Sequence, residues 1–183
     1  MFINKLLIIM PEFINPIQIL QQIPLRSTMI AADFGCGSGG WVIPLAKKLE
    51  QGLVYAIDIQ EEPLLALEGK LKLEGIQNVK KVLSDVEIEN GSKVPALSCD
   101  LVLITNLLFQ TEKKKEVFKE ADRILKPGGK ILVVDWKPEV SLGPEQGRVS
   151  PEEVKKLAEE FKLKLKKEFS AGDYHYGLVF EKS

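Results

Sequence analysis

The chain has 183 residues, 45% hydrophobic and 28% charged, which is enough for one compact domain with a sizeable core. Lys and Arg total 25 against 26 Asp and Glu, a net charge of -1, so no basic excess marks a phosphate-reading surface and no nucleic-acid partner is expected. Two cysteines, Cys36 and Cys99, are too few for a disulfide framework or a four-ligand zinc site, so a cytoplasmic setting is expected and no metal centre.

In chain order, residues 1–26 read as a helical N-terminal cover. Its apolar run, Leu6 to Met10, stops at Pro11, far short of the roughly 20 residues of a membrane span and without a cleavage pattern. Asn15-Pro16 starts a helix. Met29 to Phe34 is a first strand, ending at Gly35, Gly37, Gly39 and Gly40. A helix follows from about Trp41 to Glu50, stopped by Gly52, and then a second strand, Leu53 to Ile57. Pro63 opens a helix whose Leu64, Leu67 and Leu71 keep helical spacing until Gly75. Val79 to Leu83 is a third strand, and Asp100 to Thr105 a fourth with the continuous apolar run of a sheet centre.

A helix from about Thr111 to Leu125 buries Val117, Phe118, Ala121 and Leu125. Pro127-Gly128-Gly129 then turns the chain into a fifth strand, Lys130 to Trp136. Lys137 to Val149 is a loop of a length that is often functional. Ser150-Pro151-Glu152-Glu153 starts a helix that runs to about Phe161, with Ser as N-cap and Glu at N3. Leu163 to Phe169 and Tyr176 to Phe180 close the chain as two strands. Strands alternating with helices predict a Rossmann-like, doubly wound α/β fold with a mostly parallel sheet.

In such sheets ligands bind beyond the carboxyl ends of the strands, near the point where strand order reverses. The residues placed there are Asp33 to Gly40, Asp58 with Ile59, Asp85 with Val86, and Thr105 to Phe109. Three of these four strand ends carry a carboxylate. Gly35-Cys36-Gly37-Ser38-Gly39-Gly40 satisfies the G-x-G-x-x-G spacing of dinucleotide sites, so an NAD-dependent reductase is one reading. A diphosphate, however, would lie beside Asp33 with no Lys or Arg between residues 27 and 46. A cationic ligand suits that loop better. At an effective dielectric of about 20, a carboxylate about 4 Å from a unit charge is worth on the order of 4 kcal/mol before desolvation.

Ala32-Asp33-Phe34-Gly35-Cys36-Gly37-Ser38-Gly39 resembles the D-x-G-x-G-x-G loop of class I methyltransferases that use S-adenosylmethionine (SAM). Val54 to Asp58 is similar to their ribose-acid strand and Ser84-Asp85-Val86 to their adenine segment. Asp100 to Leu108 resembles their fourth strand, and Arg123 to Lys130 the approach to the fifth. Five motifs in order carry the resemblance from about residue 27 to residue 136, the expected SAM-binding core. Residues 137–183 complete the same domain with the substrate-side loop, a helix and the closing strands.

The resemblance implies a seven-stranded sheet with an antiparallel C-terminal hairpin and SAM as cofactor. It places Asp33, Phe34, Gly35, Cys36, Gly37 and Gly39 around the methionine part, with Asp33 on its ammonium group. Asp58, with Ile59 beside it, takes the ribose hydroxyls. Asp85 and the Val86 N–H take adenine, and Asn106 and Phe109 lie near the cofactor. The N-terminal segment, Met10 to Ile23, would pack over the cofactor entrance.

Asn106-Leu107-Leu108-Phe109 is not the N-P-P-Y turn of the DNA and protein amide methylases, which favours a small-molecule acceptor. The quinone and sterol methylases that the chain resembles more closely often show a His near position 109, where this chain has Phe. His175, the only histidine, is either a general base or a solvated hairpin residue. Arg148 either reaches an anionic acceptor or makes a surface ion pair, and Trp136 either stacks on substrate or packs in the core. A SAM-binding module without catalysis remains the alternative to an enzyme.

Overall fold

The computed structural model describes residues 13–183. Its elements in order are α1 (Pro16–Leu20), β1 (Ile30–Phe34), α2 (Val42–Lys48), β2 (Leu53–Asp58), α3 (Glu61–Glu74) and β3 (Val79–Leu83). After these come β4 (Cys99–Thr105), a single 3-10 turn (Leu108–Gln110), α4 (Lys114–Ile124), β5 (Leu125–Trp136), α5 (Pro151–Glu160), β6 (Leu163–Ser170) and β7 (His175–Lys182). They form one seven-stranded sheet in the order β3-β2-β1-β4-β5-β7-β6. The first five strands of that order run parallel. The β7 strand is antiparallel to both of its neighbours.

Helices cover both faces because the central strands are apolar on both sides. In β4, Val102 and Ile104 point into one layer with Phe34, Val133 and Phe118 of α4. Leu101 and Leu103 point into the opposite layer with Leu45 of α2, Leu67 of α3 and Val134. A strand apolar on both sides belongs in the middle of such a sheet. At the α5 start, Ser150 Oγ accepts from the Glu153 N–H while the Glu153 carboxylate accepts from the Ser150 N–H at 2.8 Å, a closed capping box. Gly75 ends α3 in the left-handed conformation, at φ +66°.

Several boundaries differ from the sequence reading for identifiable reasons. The β5 strand begins at Leu125, which already pairs with Cys99, so Pro127-Gly128-Gly129 is absorbed as an irregularity inside the strand. The α2 helix stops at Lys48, before Gly52, which instead passes closely against the Met29 carbonyl. The α4 helix begins only at Lys114, because residues 108–110 take the tighter 3-10 turn. The lysine-rich surfaces pair with acids of neighbouring elements, as in Lys115–Glu160 at 2.5 Å and Lys155–Glu168 at 2.7 Å.

Of the expected N-terminal cover, residues 1–12 lie outside the described residues. Asn15 caps α1 as expected, its side chain accepting from the Ile17 and Gln18 N–H groups. Ile19, Leu20 and Ile23 pack into the α2 and α3 layer, and the Phe13 ring lies 5.3 Å from that of Tyr174. The short helix thus lies along the flank of α2 and lines no part of the strand-end cavity described below, where the sequence reading had set it over the entrance. No helix among the described residues is long and apolar enough to cross a membrane.

The capping box makes a direct prediction. Ser150→Ala should lower unfolding free energy by about 1 kcal/mol in urea titrations, and Ser150→Asp should restore most of it. An alanine variant as stable as the parent would show that α5 does not depend on its cap.

Candidate functional site

At the carboxyl ends of the parallel strands lies a cavity of about 270 Å³. It sits where β1 pairs with β2 on one side and β4 on the other, the reversal in strand order. Gly35 and Gly37 come from the end of β1, and Asp58, Ile59, Gln60 and Pro63 from the end of β2. Ser84 to Glu87 follow β3, and Leu107 and Gln110 follow β4.

The glycine loop is held at three points. The Cys36 N–H donates to the Ile57 carbonyl at 3.0 Å, and the Gly37 N–H donates to Asp58 Oδ2 at 2.8 Å. On its outer side, Lys70 of α3 donates to the Ser38 carbonyl at 2.9 Å and to its hydroxyl at 3.0 Å. The glycines have separate reasons. Gly37 has φ +52° and open space where a Cβ would stand, so a ligand can approach its backbone. Gly39 has φ +91° and lies against the Leu67 side chain, so its bare Cα serves the packing of α3. Burial, reinforced by Asp33 and Asp58, pushes the Cys36 thiol up and away from thiolate chemistry.

The three acids stand in different surroundings. Asp33 is fully buried and neither carboxylate oxygen has a hydrogen-bond partner. Desolvation first, and the Asp58 charge second, push it up to about 8. Asp58 accepts from the Gly37 N–H on Oδ2 and from the Gln60 N–H on Oδ1 at 2.9 Å, and still faces the cavity. Asp85 accepts from the Glu87 N–H on Oδ1 at 2.7 Å, an Asx turn on the lining of the cavity.

The other residues singled out from the sequence fall into two groups. Ile59 and Val86 line the cavity with Asp58 and Asp85, and Ile59 is 64% exposed. Phe34 is wholly buried in the core, so only its backbone reaches the loop. Asn106 takes a left-handed φ of +50°, and its buried Oδ1 has no partner. Phe109 sits on the 3-10 turn with its carbonyl against Gly147. Between them, Leu107 and Gln110 form the actual wall.

His175 is not a solvated hairpin residue. Because β7 runs antiparallel to β5, its first residue pairs with Trp136 at the same carboxyl edge as the cavity. It is 2% exposed, neither ring nitrogen has a partner, and the ring lies 4.0 Å from that of Trp136. Burial, then the Lys137 charge, hold the imidazole down at about 4. Trp136 is therefore packed, between His175 and the backbone of Gly143.

Arg148 makes neither contact considered from the sequence. Its guanidinium donates to the carbonyls of Lys137, Pro138, Val140, Leu142 and Pro144, closing the loop around itself.

Sequence reasoning placed Leu107 at this edge only as part of Thr105 to Phe109, and it missed Gln60, Glu87 and Gln110 in the lining and Lys70 and Asp135 behind it. Lys70 qualifies the charge argument, since it brings a cation to the glycine loop from 32 positions away. Asp135 is fully buried and accepts from the Leu108 N–H at 3.0 Å and the Trp136 N–H at 2.8 Å. An acid closing an otherwise apolar strand was the available signal.

The fold is that of the SAM-dependent methyltransferases. A crystal structure of such an enzyme from Aquifex aeolicus superimposes with a TM-score of 0.84 at 25% identity, covering 93% of this chain and 90% of that one. A Haemonchus contortus phosphoethanolamine N-methyltransferase solved with SAM shares the fold, at TM-score 0.76 and 15% identity over 91% of this chain and 52% of that one. The methyltransferase-domain family matches residues 31–129, and the chain belongs to it. It is also similar to a demethylmenaquinone methyltransferase from Bacillus mycoides, 32% identical over 124 residues, or 65% of this chain. The chain spans about half the length of that relative, 49%.

Asp33 sets a pH signature for the ligand-free protein. Its folded pKa lies above its unfolded value, so the native state holds the extra proton between roughly pH 4 and pH 8. Stability from this group is complete below that window and is lost as pH rises through it. Asp33→Asn should abolish that part of the decline in thermal midpoint, and parallel curves for variant and parent would contradict the burial argument.

Proposed function

We propose that this chain is a SAM-dependent methyltransferase that acts on a small-molecule acceptor. One observation carries the reading: a fully buried carboxylate, Asp33, has no partner and stands beside a glycine loop with open space at Gly37. An orphaned buried acid is costly unless a cation or donor joins it. SAM, when bound, supplies a methyl group already activated by a sulfonium, together with an ammonium group that matches this acid.

The remaining residues fit the rest of that molecule. Asp58 uses two acceptor sites on Gly37 and Gln60, which leaves two more for a vicinal diol. Asp85 keeps one oxygen and Val86 its N–H for a purine edge, with Ile59 as the apolar wall. Residues 27–136 thus form the cofactor half and residues 137–183 the acceptor half of one domain. The chain's own work is to bind, align and exclude water; no residue need form a covalent intermediate.

For the acceptor, the similarity to demethylmenaquinone methyltransferases favours a quinone-type small molecule. His175 is the acceptor-side base in this reading. Its imidazole is neutral across physiological pH, and both nitrogens are unspent. The two buried thiols suit a cytoplasmic setting.

Calorimetry tests the cofactor reading. SAM should bind, and Asp58→Ala should weaken binding by about 1–3 kcal/mol, roughly 5- to 150-fold. Below pH 8, binding should also release a proton from Asp33, seen as a buffer-dependent enthalpy. Tighter binding of NAD than of SAM would overturn the proposal. His175→Gln should slow transfer to a naphthoquinol acceptor while leaving SAM affinity unchanged, and an unaltered rate would remove the base from the mechanism.

A further inference from the structure

Beyond the cofactor contacts lies a carboxylate that touches none of the cavity but organises one wall of it. Asp135 closes β5, fully buried, one strand away from the cavity. Its Oδ2 accepts from the Leu108 N–H at 3.0 Å, the Phe109 N–H is directed at the same group, and Oδ1 accepts from the Trp136 N–H at 2.8 Å. The first two donors open the 3-10 turn that follows β4, where N–H groups have no partner within the turn itself.

That turn has consequences on both sides. Leu107, the residue before it, lines the cavity and stands 3.1 Å from where a Cβ on Gly35 would be. Gln110, at its end, lines the same cavity and donates from its side chain to the Asn106 carbonyl at 2.5 Å. The Phe109 carbonyl, in the middle, is the seat of Gly147 in the long loop. A single acid therefore ties β5, the β4 turn and the loop 137–149 together.

We propose that Asp135 is a positioning residue for the cofactor site: its ionised carboxylate latches the 108–110 turn and so sets the Leu107 and Gln110 wall. The proposal rests on the SAM reading above for its ligand, but the latch itself does not. A protonated carboxyl keeps one O–H and loses acceptor capacity, so it cannot serve both strand end and turn.

The charged surroundings are few. Lys114 at the start of α4 favours the ionised form, and Tyr176, paired with Asp135 across β7, is the titratable neighbour on the other side. Glu152 and Glu153 of α5 act on that same tyrosine, whose hydroxyl donates to the Val149 carbonyl at 2.9 Å. Burial outweighs the hydrogen bonds and lifts Asp135 to about 6. The sign then separates latch from fold. Because the folded value lies above the unfolded one, acidification through pH 6 removes a buried charge and adds stability from this group, yet releases the turn.

The test uses Asp135→Asn beside the parent protein. In the parent, the backbone amide resonances of Leu108 and Phe109 should titrate together near pH 6, and in the variant they should not. SAM dissociation constants by calorimetry should be roughly 3- to 10-fold weaker for the variant at pH 7.5, the loss of about one hydrogen bond, with the ratio falling to about one at pH 5. Taking the ratio cancels the pH dependence due to Asp33. The thermal midpoint of the variant should not fall, which a merely structural carboxylate would not allow. Equal SAM affinity at both pH values, or amides that ignore the substitution, overturns the latch. If the amides titrate but the parent never binds SAM, the latch stands and the cofactor reading fails.

Discussion

The hydrogen bond from the Gly37 N–H to Asp58 Oδ2 joins the two loops that make the crevice. Parallel strands all release their chains at the same edge, so neighbouring loops meet there with their backbone polar groups unspent. Here the loop after β1 spends one on the acid at the end of β2, and the Cys36 N–H spends another on the Ile57 carbonyl. The crevice keeps its shape without a ligand because its two lips are bonded to each other. The same acid retains lone pairs facing outward, so holding the loop and contacting a ligand are compatible duties.

Carboxylates recur along this edge, and their surroundings sort them. Asp58 and Asp85 are half-buried and take backbone N–H groups from their own turns. Asp33 and Asp135 are wholly buried, and desolvation raises both, but they differ in hydrogen bonding. Asp135 has its donors in place, whereas Asp33 has none. Donors around a buried acid offset its desolvation in part; without them desolvation acts unopposed, which is why Asp33 is raised further than Asp135.

Much of the architecture was legible because it rests on local rules. The apolar runs of β1 and β4, the Asn15 and Ser150 caps and the Gly75 stop are read from adjacent residues, and the sheet places them as expected. Asp58 and Asp85 were visible for the same reason, each lying at a strand end that the pattern locates. What was not legible depends on contacts between distant segments. Lys70 meets Ser38 only after α3 has folded back, and Asp135 meets the Leu108 N–H only once β5 lies beside β4. The burial of His175 depends on strand direction, since an antiparallel partner starts where a parallel one ends. The β5 start moved because a Pro-Gly-Gly turn signal can be absorbed by a strand irregularity when the residue before it pairs.

The Arg148 guanidinium gives the long loop a centre of its own. Five of its carbonyls turn inward to one cation, so residues 137–144 are bonded around a single side chain. Its two ends are tied to the body, the Lys137 N–H donating to the Tyr174 carbonyl at 2.9 Å and the Val149 carbonyl accepting from the Tyr176 hydroxyl at 2.9 Å, and between them Gly143 lies on the Trp136 ring and Gly147 on the Phe109 carbonyl. Such a segment is a span gathered around one hub and moored at either end. Loss of the Arg148 side chain would free five carbonyls at once, slackening the span while both anchored ends stay in place.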